Sequence, residues 1–113
     1  MCDKKTLEKI LKEVREAYKK VYGDKLVKVV LYGSYARGDY DNESDIDIAG
    51  IVKDNRLETQ SKLRIISKTA SDLGLKNDIY ISLNAIPYDE YKKYMYYVAY
   101  YKNIEKEGIE ISA

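Results

Sequence analysis

The chain contains no histidine, and that absence excludes more chemistry than any other feature of its composition. A Ser-His-Asp triad, a Cys-His dyad and a histidine-ligated zinc site are all ruled out within its 113 residues. If the chain catalyses, carboxylates must do the chemistry. Cysteine is almost absent as well. The one thiol, Cys2, permits no intrachain disulfide, suits a reducing compartment and reads as incidental. No window approaches the roughly 18 apolar residues of a membrane span, and "MCDKKTLEKI" is charged within three residues and has no apolar signal region. The expected location is the cytoplasm. Neither sign of charge dominates: 20 Lys and Arg stand against 19 Asp and Glu, so the overall field does not mark nucleic acid as a partner. A chain of this length has room for one compact core, so residues 1–113 read as a single domain.

What is present is a regular alternation of helical and extended patterns. Leu7, Ile10, Leu11, Val14, Ala17, Tyr18 and Val21 recur at helical spacing and predict a helix over about 4–22, stopped by Gly23. The β-branched run "KLVKVVLY" predicts a mostly buried strand ending at Gly33, followed by a short helical turn and a loop. "SDIDIAGIV" predicts a second strand, with Ile46, Ile48 and Val52 on one face and Asp45, Asp47 and Ala49 on the other. A helical stripe follows from Arg56 to Leu73, ending at Gly74, and "NDIYISLNAI" returns to period two. Pro87 opens a last helix, Tyr88 to about Glu107, which Gly108 ends before a short "IEI" strand. The order predicts an α/β or α+β fold, with helices stacked on the Ile/Val face of a sheet and carboxylates on the other face.

The chemistry concentrates in "LYGSYARGDYDNESDIDIAGIV". Asp45 and Asp47 at i and i+2 of a strand project to the same side, with Cα atoms roughly 6.5–7 Å apart. Without a cation between them they repel. Hard oxygen ligands of this kind suit Mg²⁺ or Mn²⁺, which completes its shell with water and substrate phosphate. Asp78, expected at the start of the next strand and in phase with the polar face, supplies a third carboxylate, giving the outline of a two-metal phosphate-transfer site. Gly33 lets the backbone approach an anion, and the following N–H groups, the Ser34 hydroxyl and Arg37 can donate to phosphate oxygens. No lysine follows the second glycine, so this is not a Walker A loop.

"GSYARGDYDNESDID" resembles the G-S-x-x-R-G…S-D-x-D signature of the DNA polymerase β-type nucleotidyltransferase superfamily, and specifically its minimal nucleotidyltransferase members. Those members include the MntA-like antitoxins of HEPT/MNT toxin–antitoxin systems. The resemblance covers nearly the whole chain and extends to the tail "YYKNIEKEGIEI". It implies the nucleotidyltransferase fold, a small mixed sheet with helices packed on one face. It further implies that Gly33 and Ser34 hold the β- and γ-phosphates, that Arg37 lies near the triphosphate, and that Asp45 and Asp47 ligate Mg²⁺. By the same resemblance Asp78 is the third carboxylate, helping to activate the attacking hydroxyl. The implied reaction moves a nucleoside monophosphate, AMP from ATP, onto a hydroxyl with release of pyrophosphate. The implied partner is a HEPT-domain toxin, modified on a tyrosine and held in a hetero-oligomer, so that the chain is an antitoxin. The rival from another class is a non-catalytic antitoxin that occludes its partner sterically. Against it stands the intact set of phosphate and metal residues, since a site without catalytic demand is free to lose a carboxylate.

Seven of the 13 tyrosines lie between Tyr88 and Tyr101. On a continuous helix Tyr88, Tyr91, Met95, Val98 and Ala99 form one arc, and Tyr94, Tyr97 and Tyr101 form a second. The first arc suffices for the core, so Tyr94, Tyr97 and Tyr101 are the candidate protein-binding surface.

Overall fold

The computed structural model describes residues 3–111, and Cys2 lies outside them. Asp3 accepts a hydrogen bond from the Thr6 N–H at 2.7 Å and caps helix α1, Lys4–Tyr22, whose Ile10, Val14, Tyr18 and Tyr22 are buried at every fourth position. A 3-10 turn, Gly23–Lys25, leads into strand β1, Leu26–Tyr32, and a single helical turn, α2, Ser34–Arg37, follows. Next come β2, Ile46–Val52, helix α3, Arg56–Asn77, and β3, Ile81–Pro87. Helices α4, Tyr88–Tyr94, and α5, Ala99–Glu107, precede the short β4, Ile109–Glu110. The strand order is β3-β2-β1-β4, with β1 antiparallel to β2 and β4, and β2 parallel to β3. The parallel step requires a crossover, which α3 supplies.

One face of the sheet is closed by α1 and α3. Val29, Leu31, Ile46, Ile48, Val52, Ile81 and Ala85 pack there against Ile10, Val14, Tyr18, Ile66 and Ala70. With no Phe or Trp in the chain, every buried ring brings a hydroxyl that needs a partner. Tyr18 donates to the Asn84 carbonyl at 2.6 Å and Tyr22 to the Thr59 carbonyl at 2.7 Å. Gly50 makes room for the Tyr18 ring: a Cβ there would lie 2.5 Å from its Cε1.

The α/β class and the mixed sheet are as expected, but the helices occupy both faces rather than one. α4 and α5 cover the second face, where Tyr91, Met95 and Ile104 pack on Val30, Ala49, Ile51 and Ile86. The cause is visible in β2, which beyond Asp47 is apolar on both faces and so needs cover on both. The expected single helix from Tyr88 to Glu107 is broken. The Tyr94 carbonyl accepts from the N–H groups of both Tyr97 and Val98, each at 2.9 Å, and Val98 is extended at φ −89°, ψ 117°. The break turns both helices onto the same apolar rows. α3 also runs past Gly74 to Asn77. Gly74 is a site of close packing, since a Cβ there would meet the Ile79 carbonyl oxygen at 2.6 Å.

Candidate active site

β1 ends at Tyr32, and the chain turns at Gly33 with φ 77° and ψ −159°, a conformation that side chains resist. Space imposes the same choice: a Cβ on Gly33 would lie 2.5 Å from Asp47 Oδ2. The Asp47 carboxylate is therefore seated against the backbone that starts α2. The Gly33 carbonyl accepts from the Ala36 and Arg37 N–H groups at 3.1 Å each, and Gly38, left-handed at φ 86°, closes the turn onto the Ser34 carbonyl at 2.9 Å. Ser34, half-buried, heads the turn, where a helical N–H has no carbonyl one turn earlier to bond.

The loop before β2 is held by its own side chains. The Asp41 N–H donates to Ser44 Oγ at 2.9 Å, the Glu43 N–H to Asp41 Oδ1 at 2.9 Å, and the Ser44 N–H to the Asp41 carbonyl at 3.2 Å. This brings Asp45 to the threshold of β2, where the Ile46 N–H donates to the Tyr80 carbonyl at 3.0 Å. Asp45 is exposed and Asp47 half-buried. Burial first, and the charge of Asp45 second, push the Asp47 carboxyl above its ordinary pKa, with Arg37 opposing in part. A cation between the two carboxylates would relieve that cost. Arg37 itself is exposed and bonded to Asp39 Oδ2 at 3.1 Å and Glu107 Oε2 at 3.2 Å, contacts that raise its pKa further.

Asp78 does not join the pair. It caps the C-terminus of α3 in the left-handed region, φ 53° and ψ 49°, three residues before β3 begins, and it is exposed. The expectation that it stands on the polar strand face is corrected. Among the described residues no group of three or more His, Cys, Asp or Glu side chains is placed to hold a metal ion. Asp45 and Asp47 remain as a two-carboxylate donor set. That set fits Mg²⁺, which commonly takes one or two protein carboxylates and fills its octahedron with water and phosphate oxygens.

The register supplies neighbours that the sequence did not single out. Asp47 is flanked by Tyr32 on β1 and by Ser82 on β3. The Tyr32 and Tyr100 hydroxyls are 2.6 Å apart, and Asn84 Nδ2 donates to Tyr100 at 2.8 Å. Burial pushes the Tyr32 phenol up, and Tyr100 and Asp47 add to the shift. This network forms the inner wall, where α5 meets the acidic end of the sheet. Tyr32 could have been found as the residue before Gly33; Tyr100 stands out in the sequence only as one of the tyrosines crowded between Tyr88 and Tyr101. Of the candidate interface tyrosines, Tyr94 and Tyr97 are 40% and 82% exposed. Tyr101 is half-buried, packs on the Tyr91 and Tyr100 rings and donates to Glu90 at 2.6 Å.

Residues 7–111 match the family model described as a nucleotidyltransferase domain. The chain belongs to this nucleotidyltransferase family. A candidate protein adenylyltransferase of Methanocaldococcus jannaschii is 39% identical over 102 residues, covering 90% of this chain and 95% of that protein. A second from the same organism is 41% identical over 78 residues, covering 66% of this chain and 77% of its own length. Two solved structures share the fold. One, a candidate nucleotidyltransferase from Sulfolobus solfataricus, superposes with a TM-score of 0.50 at 19% identity, covering 96% of this chain and 87% of its own. The other, described as a toxin-antitoxin with AMP-PNP, has a TM-score of 0.52 at 19% identity, covering 91% of this chain and 70% of its own. The nucleotidyltransferase thus places its signature glycine and one signature aspartate in direct contact. Among its described residues no helix is long and apolar enough to cross a membrane.

Proposed function

We propose that this nucleotidyltransferase moves AMP from ATP, with Mg²⁺, onto a tyrosine hydroxyl of a protein partner in the cytoplasm, a HEPT-domain toxin that it silences as an antitoxin. The observation that carries the reading is the seating of Asp47 Oδ2 on Gly33. It joins the phosphate turn and the carboxylate pair in one place, as transfer between a nucleotide and an acceptor requires. The names of the relatives, candidate protein adenylyltransferases, and of one structural neighbour, a toxin-antitoxin with AMP-PNP, support the choice of substrate and partner.

Asp45 and Asp47 would hold the cation, and the Ser34 N–H and hydroxyl would donate to phosphate oxygens beside Gly33. When bound, Mg²⁺ supplies charge neutralisation and polarisation of the transferring phosphoryl group. Arg37, on exchanging Asp39 or Glu107 for phosphate, adds a charge-assisted hydrogen bond. The acceptor oxygen forms its bond to the α-phosphorus as the bond from that phosphorus to the bridging oxygen of the β-phosphate breaks; pyrophosphate leaves, and the acceptor's proton passes to solvent. Asp78 lies apart from the pair, at the C-terminal cap of α3. A phenol, with a pKa of about 10, releases its proton far more readily than an aliphatic alcohol, which favours tyrosine as acceptor. The α4–α5 junction, where Tyr94, Tyr96, Tyr97 and Val98 are exposed, is the surface offered to the partner, forming a hetero-oligomer.

Incubating the enzyme with its co-expressed partner, ATP and Mg²⁺, followed by mass spectrometry of the partner, tests this. An AMP adduct on a partner tyrosine is expected; an adduct on RNA alone, or none on a partner that remains bound, would overturn the reading.

A further inference from the structure

The two edges of the sheet are finished differently. At one edge β4 is only 2 residues long, and Arg15 Nε donates to the Ile111 carbonyl just beyond it at 3.0 Å. β3 is the other edge. The Ile46 N–H donates to the Tyr80 carbonyl, so by alternation the main-chain groups of Ser82 and Asn84 face β2 and those of Ile81, Leu83 and Ala85 face outward. Ala85 is closed locally: its N–H donates to Asn84 Oδ1 at 2.9 Å and its carbonyl accepts from Gln60 Nε2 at 2.8 Å. Before the strand the Ile79 N–H donates to the Gly74 carbonyl at 3.0 Å, and at its end Pro87 has no N–H to offer. Ile81 and Leu83 have no such partner among the described residues, which leaves a short open ladder centred on Ser82.

A groove lies beside that ladder on the outer flank of α3. One part, about 560 Å³, lies between α3 and residues 78–83; the next, about 480 Å³, follows α3 from Leu57 to Ser67, and Ser67 lines both. The two parts differ in sign. Asp78 lines the first and Arg64 the second, both exposed and neither in an ion pair among the described residues. Leu75 and Leu57, in the same two parts, are 84% and 77% exposed. Gln60 reaches Ala85 and Gly74 packs on Ile79, so α3 runs antiparallel to β3 and its middle is level with Ser82.

Such a surface is complementary to itself under a two-fold axis through its middle, because the axis exchanges its ends. The axis sets Ile81 of one copy against Leu83 of the other, a pair that exchanges both N–H···O bonds in an antiparallel ladder, and symmetry repeats the pair. It also carries the Arg64 end of one α3 to the Asp78 end of the other, and the Leu57 end to the Leu75 end. A lone extended segment from another protein would fill the ladder but leave both leucines bare and both charges unpaired. We propose that this protein forms a homodimer in which the two β3 strands pair antiparallel across Ser82, joining two sheets into one, with the α3 helices packed side by side. The inference rests on the fold alone and is independent of the nucleotide reading above.

Sedimentation of the full chain from micromolar to millimolar concentration, with amide exchange followed at Ile81 and Leu83, tests it. Wild type should sediment at twice its 13.1 kDa, with both amides protected. Ser67→Glu/Ser71→Glu sets like charges against each other across the axis. Both positions are exposed and glutamate suits a helix better than serine, so the variant should fold. Its dimer should be at least about tenfold weaker, with both amides exchanging freely. The Ser82 residues form the non-hydrogen-bonded pair, whose Cα atoms lie ~4.5 Å apart, a spacing a disulfide accepts. Cys2→Ser/Ser82→Cys should therefore give a covalent dimer on mild oxidation. A wild type that stays monomeric throughout, a dimer indifferent to the two glutamates, or a Ser82→Cys dimer that does not cross-link would overturn the proposal. A monomer whose Ile81 and Leu83 amides become protected only with a bound partner protein would overturn it as well, and would assign the ladder to that partner.

Discussion

The two ends of the sheet face that carries Asp47 are built on opposite rules. At the rows of Ala49 and Ile51, α4 and α5 form a roof, and Tyr91, Met95 and Ile104 beneath it are buried. One row earlier the neighbours of Asp47 are Tyr32 and Ser82, and Asp45 beyond it is exposed. The same strand runs through both ends. An ionised carboxylate under the roof would lose its hydration at a cost of several kcal/mol, so covered rows must be apolar and charge is confined to the open row. The open end keeps an unfavourable pair, Asp45 and Asp47, that a bound cation would relieve. Apolar packing is concentrated under the roof and the proposed chemistry at its rim.

The largest expected effect is at the rim. Asp45→Asn or Asp47→Asn should reduce transfer by at least about a hundredfold, as loss of a metal ligand does, measured as pyrophosphate release with partner present. For stability the sign is reversed. The folded pKa of Asp47 is raised, so the folded state binds its proton more tightly than the unfolded one. Stability of the metal-free protein therefore falls as pH rises from the ordinary carboxyl value through the raised folded value, and the cost persists above it. Asp47→Asn should accordingly raise the metal-free Tm at pH 7 while abolishing activity. A lower Tm would show that the carboxylate is structural.

A second contrast sets Gly50 against Gly33. Gly50→Ala would press a methyl into the Tyr18 ring on the closed face and should cost about 1–3 kcal/mol of stability, the usual scale of overpacking, read by urea unfolding, with the KM for ATP unchanged. Gly33→Ala places its methyl on the Asp47 carboxylate in a left-handed backbone, so stability should fall by roughly 1–2 kcal/mol and transfer should be lost with it. Equal effects on activity from the two substitutions would erase the distinction between the ends. Millimolar Mg²⁺ should raise the Tm of wild type and leave an Asp45→Asn/Asp47→Asn double variant unmoved; an equal rise in both would remove the cation from this pair. The smallest effect on folding belongs to Tyr97→Ala. That ring is 82% exposed, so stability should change by less than about 0.5 kcal/mol, while partner retention on size exclusion should weaken.

The placement of the Gly33 turn beside the strand of Asp45 and Asp47 was legible because its geometry is local: a glycine at a strand end, a hydroxyl after it and carboxylates at i and i+2 constrain one another within 15 residues, Gly33 to Asp47. Strand faces in β2 were legible for the same reason, since period two assigns Asp47 and Ile48 to opposite sides. Asp78 misled because its in-phase position assumed that the strand starts at once, whereas α3 consumes the residues to Asn77 and Asp78 caps it. The break at Val98 was hidden because the tyrosines around it satisfy helical spacing on several arcs together. The wall formed by Tyr32, Asn84 and Tyr100 was hidden because it joins residues up to 68 apart in the chain. Only the register and the placement of α5 bring them together.

The central claim, nucleotidyl transfer at the Asp45–Asp47 pair, is tested most directly with ATP labelled at either the α- or the γ-phosphate, added with Mg²⁺ and the protein to lysate of its source cells. Label entering a protease-sensitive band from the α-phosphate only, and absent with the Asp45→Asn/Asp47→Asn protein, is the predicted result. Label entering from the γ-phosphate, or α-label undiminished in the double variant, would contradict it.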